Sequence, residues 1–295
     1  MRKTTVQNNE ALNDRRKSKI VSFFQFPLIW MLVGAFGIIL TKVIFGSLSR
    51  DSQALGSITL ALLGSAVAIV VYWLAMKLLA RRPVPELLIP RRALSESILG
   101  AVIGLIFIIV STALIVLLGG YSFKWSADNV SSVVLPIIAA QLGAAFVEEL
   151  VFRGLAFQAI EKMGGSLLAL ALTSLFFGIA HLGNPGATVW GAVCIALEAG
   201  VLLGAAFLWR RNVWFIIGLH FMWNTIEGLS GIPVSGHPST GLFTVEVTGP
   251  TLLTGGQFGL EASIVPVIIS LLIAIPMLIF AYRKGHLRSL RQDRQ

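Results

Sequence analysis

The chain has few charged residues and almost no cysteine, and each shortage excludes a class of protein. Charged side chains make up 13% of the 295 residues, whereas hydrophobic ones make up 56%. A soluble domain carries about twice that share of charge, so an ordinary soluble fold is excluded. A single cysteine, Cys194, rules out an intrachain disulfide, and we expect it to be an inert buried thiol.

The sequence instead contains long runs of apolar residues, separated by short clusters of charged residues. A helix needs roughly 20 mostly apolar residues to cross a bilayer, because every backbone polar group must be bonded within the segment. We predict eight such segments, at about 24–45, 57–79, 97–119, 133–160, 166–182, 187–208, 213–229 and 262–282. The predicted fold is therefore an all-α, polytopic integral membrane protein of about eight transmembrane helices.

The basic residues indicate how this protein is oriented. If the N-terminus is inside, one side of the membrane collects Arg2, Lys3, Arg15, Arg16, Lys17, Lys19, Lys77, Arg81, Arg82, Arg91, Arg92, Lys162, Arg210, Arg211, Arg283, Lys284, Arg288, Arg291 and Arg294. The other side receives Arg50 and Lys124, while Lys42 and Arg153 lie within segments. The positive-inside rule then predicts cytoplasmic N- and C-termini in a plasma or cytoplasmic membrane. Because the positive charge is explained by topology, we expect no nucleic-acid partner.

The chain divides into a basic tail at 1–22, a single membrane domain at 23–282 and a second basic tail at 283–295. The first apolar run is long enough to span, so we expect it to be a retained helix. The longest connection, about 230–261, is rich in Gly, Ser, Thr and Pro and faces outward in this topology. We expect it to be a solvated loop rather than a cap.

Polar residues at membrane depth cluster in the second half of the chain. Such side chains are costly in lipid, by several kcal/mol, so each needs a partner or a function. They are Glu148, Glu149, Arg153, His181, Glu198, His220 and Asn224. The first three segments contribute almost none, and we expect those segments to add only topology.

Helical spacing predicts which of these side chains meet. Glu149 and Arg153 are four residues apart and can form an ion pair. Glu148 points about 100° away from Glu149, which leaves it without a local cation and available for chemistry. His220 and Asn224 share a face, and Phe177 precedes His181 by four residues, so that its ring should lie beneath the imidazole.

Two kinds of chemistry fit these residues. A Glu and a His can hold and deprotonate water, while a His and an Asn can donate hydrogen bonds to an oxyanion. Alternatively, Glu148, His181 and His220 could bind zinc with a water as the fourth ligand, although the usual His-Glu-x-x-His helix is absent. We prefer a mechanism without a cofactor, and spacing leaves zinc open.

Three motifs, Glu148-Glu-x-x-x-Arg153, Phe177-x-x-x-His181 and His220-x-x-x-Asn224, together resemble the CPBP family. These are the CAAX-processing and bacteriocin-processing membrane peptidases, also described as type II CAAX prenyl endopeptidases. The resemblance covers about 130–230, which would be the catalytic core. It implies an all-helical membrane domain around a polar cavity that opens to the cytosol or laterally to lipid.

The resemblance also implies roles for individual residues. Glu148 and His181 would activate water, and His220 and Asn224 would form the oxyanion hole. Glu149, Arg153 and Phe177 would be supporting residues, and Glu198 is assigned a structural or supporting role. The implied partner is a membrane-bound polypeptide, with a prenylated CAAX-type chain as one candidate, held in the lipid bilayer; the oligomeric state is not predicted.

Two other functions compete with a peptidase. Chains of Glu and His at membrane depth also mark ion paths, so an ion-coupled transporter or proton relay is the first alternative. Transporters often contain internal repeats, and the first half of this chain shows no counterpart of the polar second half. The second alternative is a catalytically silent immunity factor or scaffold for another membrane protein.

Overall fold

The computed structural model describes residues 21–50, 52–87 and 89–289. The predicted N-terminal tail therefore lies almost wholly outside the described residues, as does the end of the C-terminal tail. The helices, in chain order, are α1 (Pro27–Arg50), α2 (Ala54–Leu79), α3 (Pro90–Leu117), α4 (Val130–Gly164), α5 (Ser166–Ala180), α6 (Val189–Arg210), α7 (Val213–Leu229) and α8 (Ile264–Arg283).

The predicted all-α membrane fold is confirmed. Each of the eight predicted segments coincides with a helix, and seven helices of the described chain are long and apolar enough to cross a membrane. The remaining one, α7, has 17 residues, and most of its side chains are buried. It packs against α3, α4 and α6, and His220 and Asn224 are among its buried residues.

Close contact between α3 and α7 fixes the position of α7. Gly100 and Gly104 of α3 lie against the backbone carbonyls of Phe215 and Leu219, and a Cβ at either glycine would overlap those oxygens. Small residues at a helix interface allow backbones to approach closely, which is how membrane helices associate without a hydrophobic driving force. The glycines of α3 thus set the depth at which α7 presents its polar residues.

Two helices change their winding near the polar residues. Leu150–Phe157 of α4 and Ala196–Val201 of α6 are π-helical. Such segments are frequent at functional sites, because the wider turn redirects side chains and frees backbone groups. Here the two π-helical segments are joined by Arg153, whose guanidinium donates to the carbonyls of Ala199 and Gly200 at 2.9 and 3.2 Å.

A small sheet joins two of the connections between helices. Strand β1 (Tyr121–Trp125) follows α3, strand β2 (Phe243–Val247) follows α7, and the two pair antiparallel. Tyr121 pairs with Val247 and Trp125 with Phe243 in this register. The sheet holds the connection before α4 against the connection before α8.

Candidate active site

The two adjacent glutamates of α4 lie in different surroundings. The Glu149 side chain is 0% exposed, whereas that of Glu148 is 23% exposed and lines a cavity. The rotation of about 100° between neighbouring residues of a helix accounts for this division. One carboxylate therefore belongs to the protein interior, and the other faces the space in which a substrate can bind.

A lysine from the first helix reaches Glu148. Lys42 of α1 donates a hydrogen bond to Oε1 of Glu148 at 3.1 Å, and its side chain is 48% exposed. The prediction that Glu148 has no nearby cation is therefore wrong, as is the expectation that the first three helices add only topology. Helical spacing within α4 cannot reveal this contact, because the partners are separated by 106 residues in the chain.

Glu149 and Arg153 form the predicted ion pair. Nη1 of Arg153 donates to both oxygens of Glu149, at 3.0 and 3.1 Å, and both side chains are buried. The guanidinium also lies 4.7 Å from the centre of the Phe177 ring. The ion pair and the contact with Phe177 offset much of the cost of burying two charges, although Nε of Arg153 has no hydrogen-bond partner among the described residues, so this pair can support its neighbours.

His220 is held between the two glutamates. Its Nδ1 is 2.8 Å from Oε1 of Glu149, and its Nε2 is 4.0 Å from Oε2 of Glu148. Because Glu149 is also paired with Arg153, its oxygen acts as acceptor and the proton of this hydrogen bond lies on Nδ1. The ring is thereby fixed with Nε2 directed toward the carboxylate of Glu148.

His181 stands at the end of α5 with its ring against Phe177. The two ring centroids are 4.7 Å apart, as the four-residue spacing predicts, and Nδ1 is 2.7 Å from the carbonyl oxygen of Phe177. A carbonyl only accepts, so Nδ1 carries the proton. Nε2 of a neutral ring is then a free acceptor for water.

Asn224 enters the same cavity from α7. Its Nδ2 donates to Oε1 of Gln141 at 3.3 Å, while its Oδ1 is buried without a hydrogen-bond partner among the described residues. The second hydrogen of Nδ2 is available for a ligand. Gln141 is absent from the residues predicted above. It precedes Glu148 by seven residues on α4, and this two-turn spacing is the signal that could have revealed it.

The cavity that these residues share has a volume of about 820 Å³. Glu148, His181 and Asn224 line it, whereas His220 is not among the lining residues and its Nε2 lies 4.0 Å from Oε2 of Glu148. The other lining residues include Lys42, Gln141, Asn184, Ser235, His237 and Thr240. A site of this size, with polar side chains among a mostly apolar lining, can hold several residues of an extended polypeptide.

The connection after α7 forms the outer wall of this cavity, so the expectation of a merely solvated loop is wrong. A tight turn at Val234–His237 lines the cavity, and Asn184 donates to the Ser235 carbonyl at 2.9 Å. The buried carboxylate of Glu261 accepts from the backbone N–H and the hydroxyl of Ser235. Burial raises the pKa of Glu261 above its usual value, and the two hydrogen bonds from Ser235 act in the opposite direction.

Glu198 does not reach the cavity. It is fully buried in the π-helical part of α6, and neither carboxylate oxygen has a hydrogen-bond partner among the described residues. A structural role for Glu198 therefore stays a prediction. Cys194 is buried, which agrees with an inert thiol.

Within the part of the chain that the structure describes, no group of three His, Cys, Asp or Glu side chains is placed to hold a metal ion. Glu148 and His220 approach to 4.0 Å, and Nδ1 of both His181 and His220 is engaged with protein oxygens. These hydrogen bonds leave Nε2 of each ring open, as in many metal-binding histidines, so whether Glu148, His181 and His220 hold zinc stays a prediction.

A family model matches residues 130–226 and is described as Type II CAAX prenyl endopeptidase Rce1-like. No curated protein and no solved structure matches the chain. The matched segment runs from the start of α4 into α7 and contains Glu148, His181, His220 and Asn224. The resemblance inferred from the three motifs is confirmed over this segment, about a third of the chain, which is similar to the Rce1-like type II CAAX prenyl endopeptidases of the CPBP family.

Proposed function

We propose that this protein is an intramembrane endopeptidase in which Glu148 and His181 activate water and His220 and Asn224 stabilise the oxyanion. The family match supports a CAAX-type intramembrane protease in general. The single observation that carries the finer proposal is that Glu148, His181 and Asn224 line one cavity. In addition, Nε2 of His220 lies 4.0 Å from Oε2 of Glu148.

In the proposed reaction, a water bound between Glu148 and Nε2 of His181 attacks the carbonyl carbon of the scissile bond. Glu148 takes the proton from this water and later gives it to the amide nitrogen, so that the C–N bond breaks and a neutral amine leaves. The fixed hydrogen bond from Nδ1 to Phe177 supports this role, because it keeps Nε2 of His181 free as an acceptor.

The oxyanion requires donors, and His220 and Asn224 can supply them. The carboxylates of Glu149 and Glu148 flank the ring of His220, which favours the doubly protonated form with an N–H on Nε2. Asn224 has one amide hydrogen that Gln141 does not use. Donors fixed before the reaction need no reorganisation as the negative charge develops.

Lys42 and the buried pair would be positioning residues for this chemistry. The ammonium of Lys42 stabilises Glu148 as a carboxylate, the form that can accept a proton from water. Glu149 orients the ring of His220, and Arg153 orients Glu149. Lys42 is also a candidate partner for a carboxylate of the substrate, because its side chain is half exposed at the cavity.

The proposed chemistry needs no metal, because glutamate and histidine already supply the base and the donors. We therefore expect cleavage by purified protein to persist after stringent chelation, with a rate within about twofold of the untreated sample. Peptidase assays before and after chelator dialysis, together with elemental analysis of the purified protein, measure this. Loss of activity that stoichiometric zinc restores would contradict the metal-free mechanism.

The proposed substrate is a polypeptide held in or on the lipid bilayer, since the site lies between membrane helices. Comparative proteomics of membranes that contain the wild-type protein or the Glu148→Gln variant is the direct test. We expect a membrane-associated precursor to accumulate in the variant and a shortened product to be present with the wild type. Identical peptide ends in both membranes would contradict the proposal, as would proton-coupled flux in liposomes lost on the same substitution.

A further inference from the structure

The polar groups at the ends of the helices divide the protein into two faces. We call the first the basic face. It is formed by the C-terminal ends of α2, α4, α6 and α8 and the N-terminal ends of α3 and α7, and its described basic residues are Lys77, Arg81, Arg82, Arg91, Arg92, Lys162, Arg210, Arg211, Arg283, Lys284 and Arg288. The opposite ends form the cavity face, on which Lys124 of β1 is a basic side chain.

Ion pairs between different helices close the basic face. Glu96 of α3 accepts hydrogen bonds from Arg210 at the end of α6, one of them at 2.8 Å, and from Asn212 at 3.1 Å. Glu161 of α4 accepts from Arg211 at 2.7 and 2.8 Å. Each of these contacts joins helix ends that are distant in the chain, so the face is held together as one surface.

A third cluster on the basic face has the same effect. Glu86, in the connection between α2 and α3, accepts from Arg82 at 2.6 and 3.2 Å. Arg82 also donates to Gln158 of α4 at 2.6 Å, and Tyr72 of α2 donates to Glu86. Burial lowers the pKa of the Arg82 guanidinium, but the hydrogen bond and the negative charge of Glu86 raise it. The pKa is raised on balance. The helix ends around the cluster are thereby tied together.

The cavity described above lies on the other face. Ser132, in the first turn of α4, lines it together with Asn184 after α5 and the 237–240 part of the connection after α7. His237 and Thr240 are exposed at its rim. All of these residues lie at helix ends opposite to the ends that carry the basic side chains. A substrate can therefore enter between the outer turns of α4 and the turn at Val234–His237.

The charge distribution identifies which compartment the cavity meets. Lys and Arg in short connections are retained in the cytoplasm, so the basic face is the cytoplasmic one. We propose that the cavity opens to the extracytoplasmic side and receives a membrane-anchored polypeptide whose cleavage site lies outside the cytoplasm. That the occupant is a polypeptide rests on the proposed function, whereas the side of access does not. This proposal differs from the opening to the cytosol or laterally to lipid that the family resemblance implies.

Cysteine labelling tests the side of access without any measurement of activity. In a Cys194→Ala background, Thr240→Cys places a thiol at the rim of the cavity, and Lys162→Cys places a matched exposed thiol on the basic face. Cells with an accessible cytoplasmic membrane are treated with a membrane-impermeant maleimide. We expect Thr240→Cys to be labelled at least 10-fold faster than Lys162→Cys, and both to be labelled after the membrane is permeabilised.

Faster labelling of Lys162→Cys, or equal labelling of the two variants in intact cells, would overturn the proposal. A second measurement links access to cleavage. A bulky impermeant maleimide on Thr240→Cys should block the cavity from outside and reproduce the precursor accumulation of the Glu148→Gln variant. If Thr240→Cys is labelled from outside but no precursor accumulates in the Glu148→Gln variant, the peptidase function is contradicted. The proposed side of access is still supported in that case. Precursor accumulation by Glu148→Gln but not by the outside block would overturn the outward entry of substrate.

Discussion

Replacing Glu148 with glutamine is expected to slow peptide-bond cleavage by about 10⁴-fold, at the upper end of what general acid–base catalysis contributes. The amide has nearly the same shape as the carboxylate, but it cannot accept the proton of the attacking water. It also removes the negative partner of the Lys42 ammonium. The rate is measured with purified protein and the precursor found by proteomics, as kcat/KM relative to the wild type.

Glu246→Gln is a matched control for this substitution. Glu246 lies on β2 of the cavity face, is exposed and makes only a weak hydrogen bond with Ser122 at 3.4 Å. The same chemical change at that position should alter the rate by less than about twofold. Thermal unfolding in detergent should show both variants folded. A Glu148→Gln variant that retains full activity would remove Glu148 from the mechanism.

Replacing Arg153 with methionine is expected to destabilise the protein by about 3–5 kcal/mol, the range found when one partner of a buried ion pair is removed. The loss leaves the buried Glu149 carboxylate with the Nδ1–H of His220 as its one side-chain partner among the described residues. It also removes the side-chain donor from the carbonyls of Ala199 and Gly200, which weakens the contact between the π-helical segments of α4 and α6. Thermal or denaturant unfolding in detergent measures the change.

Arg283→Met is the matched control, because Arg283 is exposed at the end of α8. Its effect should stay within about 0.5 kcal/mol, as for most surface substitutions. Adding Glu149→Leu to Arg153→Met should recover part of the loss, since it removes the carboxylate that lost its guanidinium, while the lost Nδ1 acceptor of His220 limits the recovery. If Arg153→Met proves as stable as Arg283→Met, the pair does not support the site.

The sequence predicts contacts within one helix far better than contacts between helices. The Glu149–Arg153 pair and the Phe177–His181 stacking both follow from a spacing of four residues, and both are present. The eight helices follow equally well from the length of the apolar runs. In each case the outcome depends on the periodicity of the α-helix and the thickness of the bilayer, which are the same for every membrane protein of this class.

Contacts between distant segments do not follow from such spacing. The bonds of Lys42 with Glu148 and of His220 with Glu149 depend on how helices pack and rotate against one another. The turn at Val234–His237 has the polar composition of a solvated loop, yet Asn184 and Glu261 hold it at the wall of the cavity. The composition of a segment indicates whether it tolerates water, but it does not show which distant residues the segment contacts.

The sheet of β1 and β2 has a consequence for how a substrate enters. Its ladder, extended by Ser126 N–H to Leu242 and Thr248 N–H to Gly120, links the segment before α4 to the segment before α8. Neither segment can swing outward alone without breaking several backbone hydrogen bonds at once. If the entrance widens, both segments must move together, so a disulfide across the two strands should leave the cleavage rate unchanged.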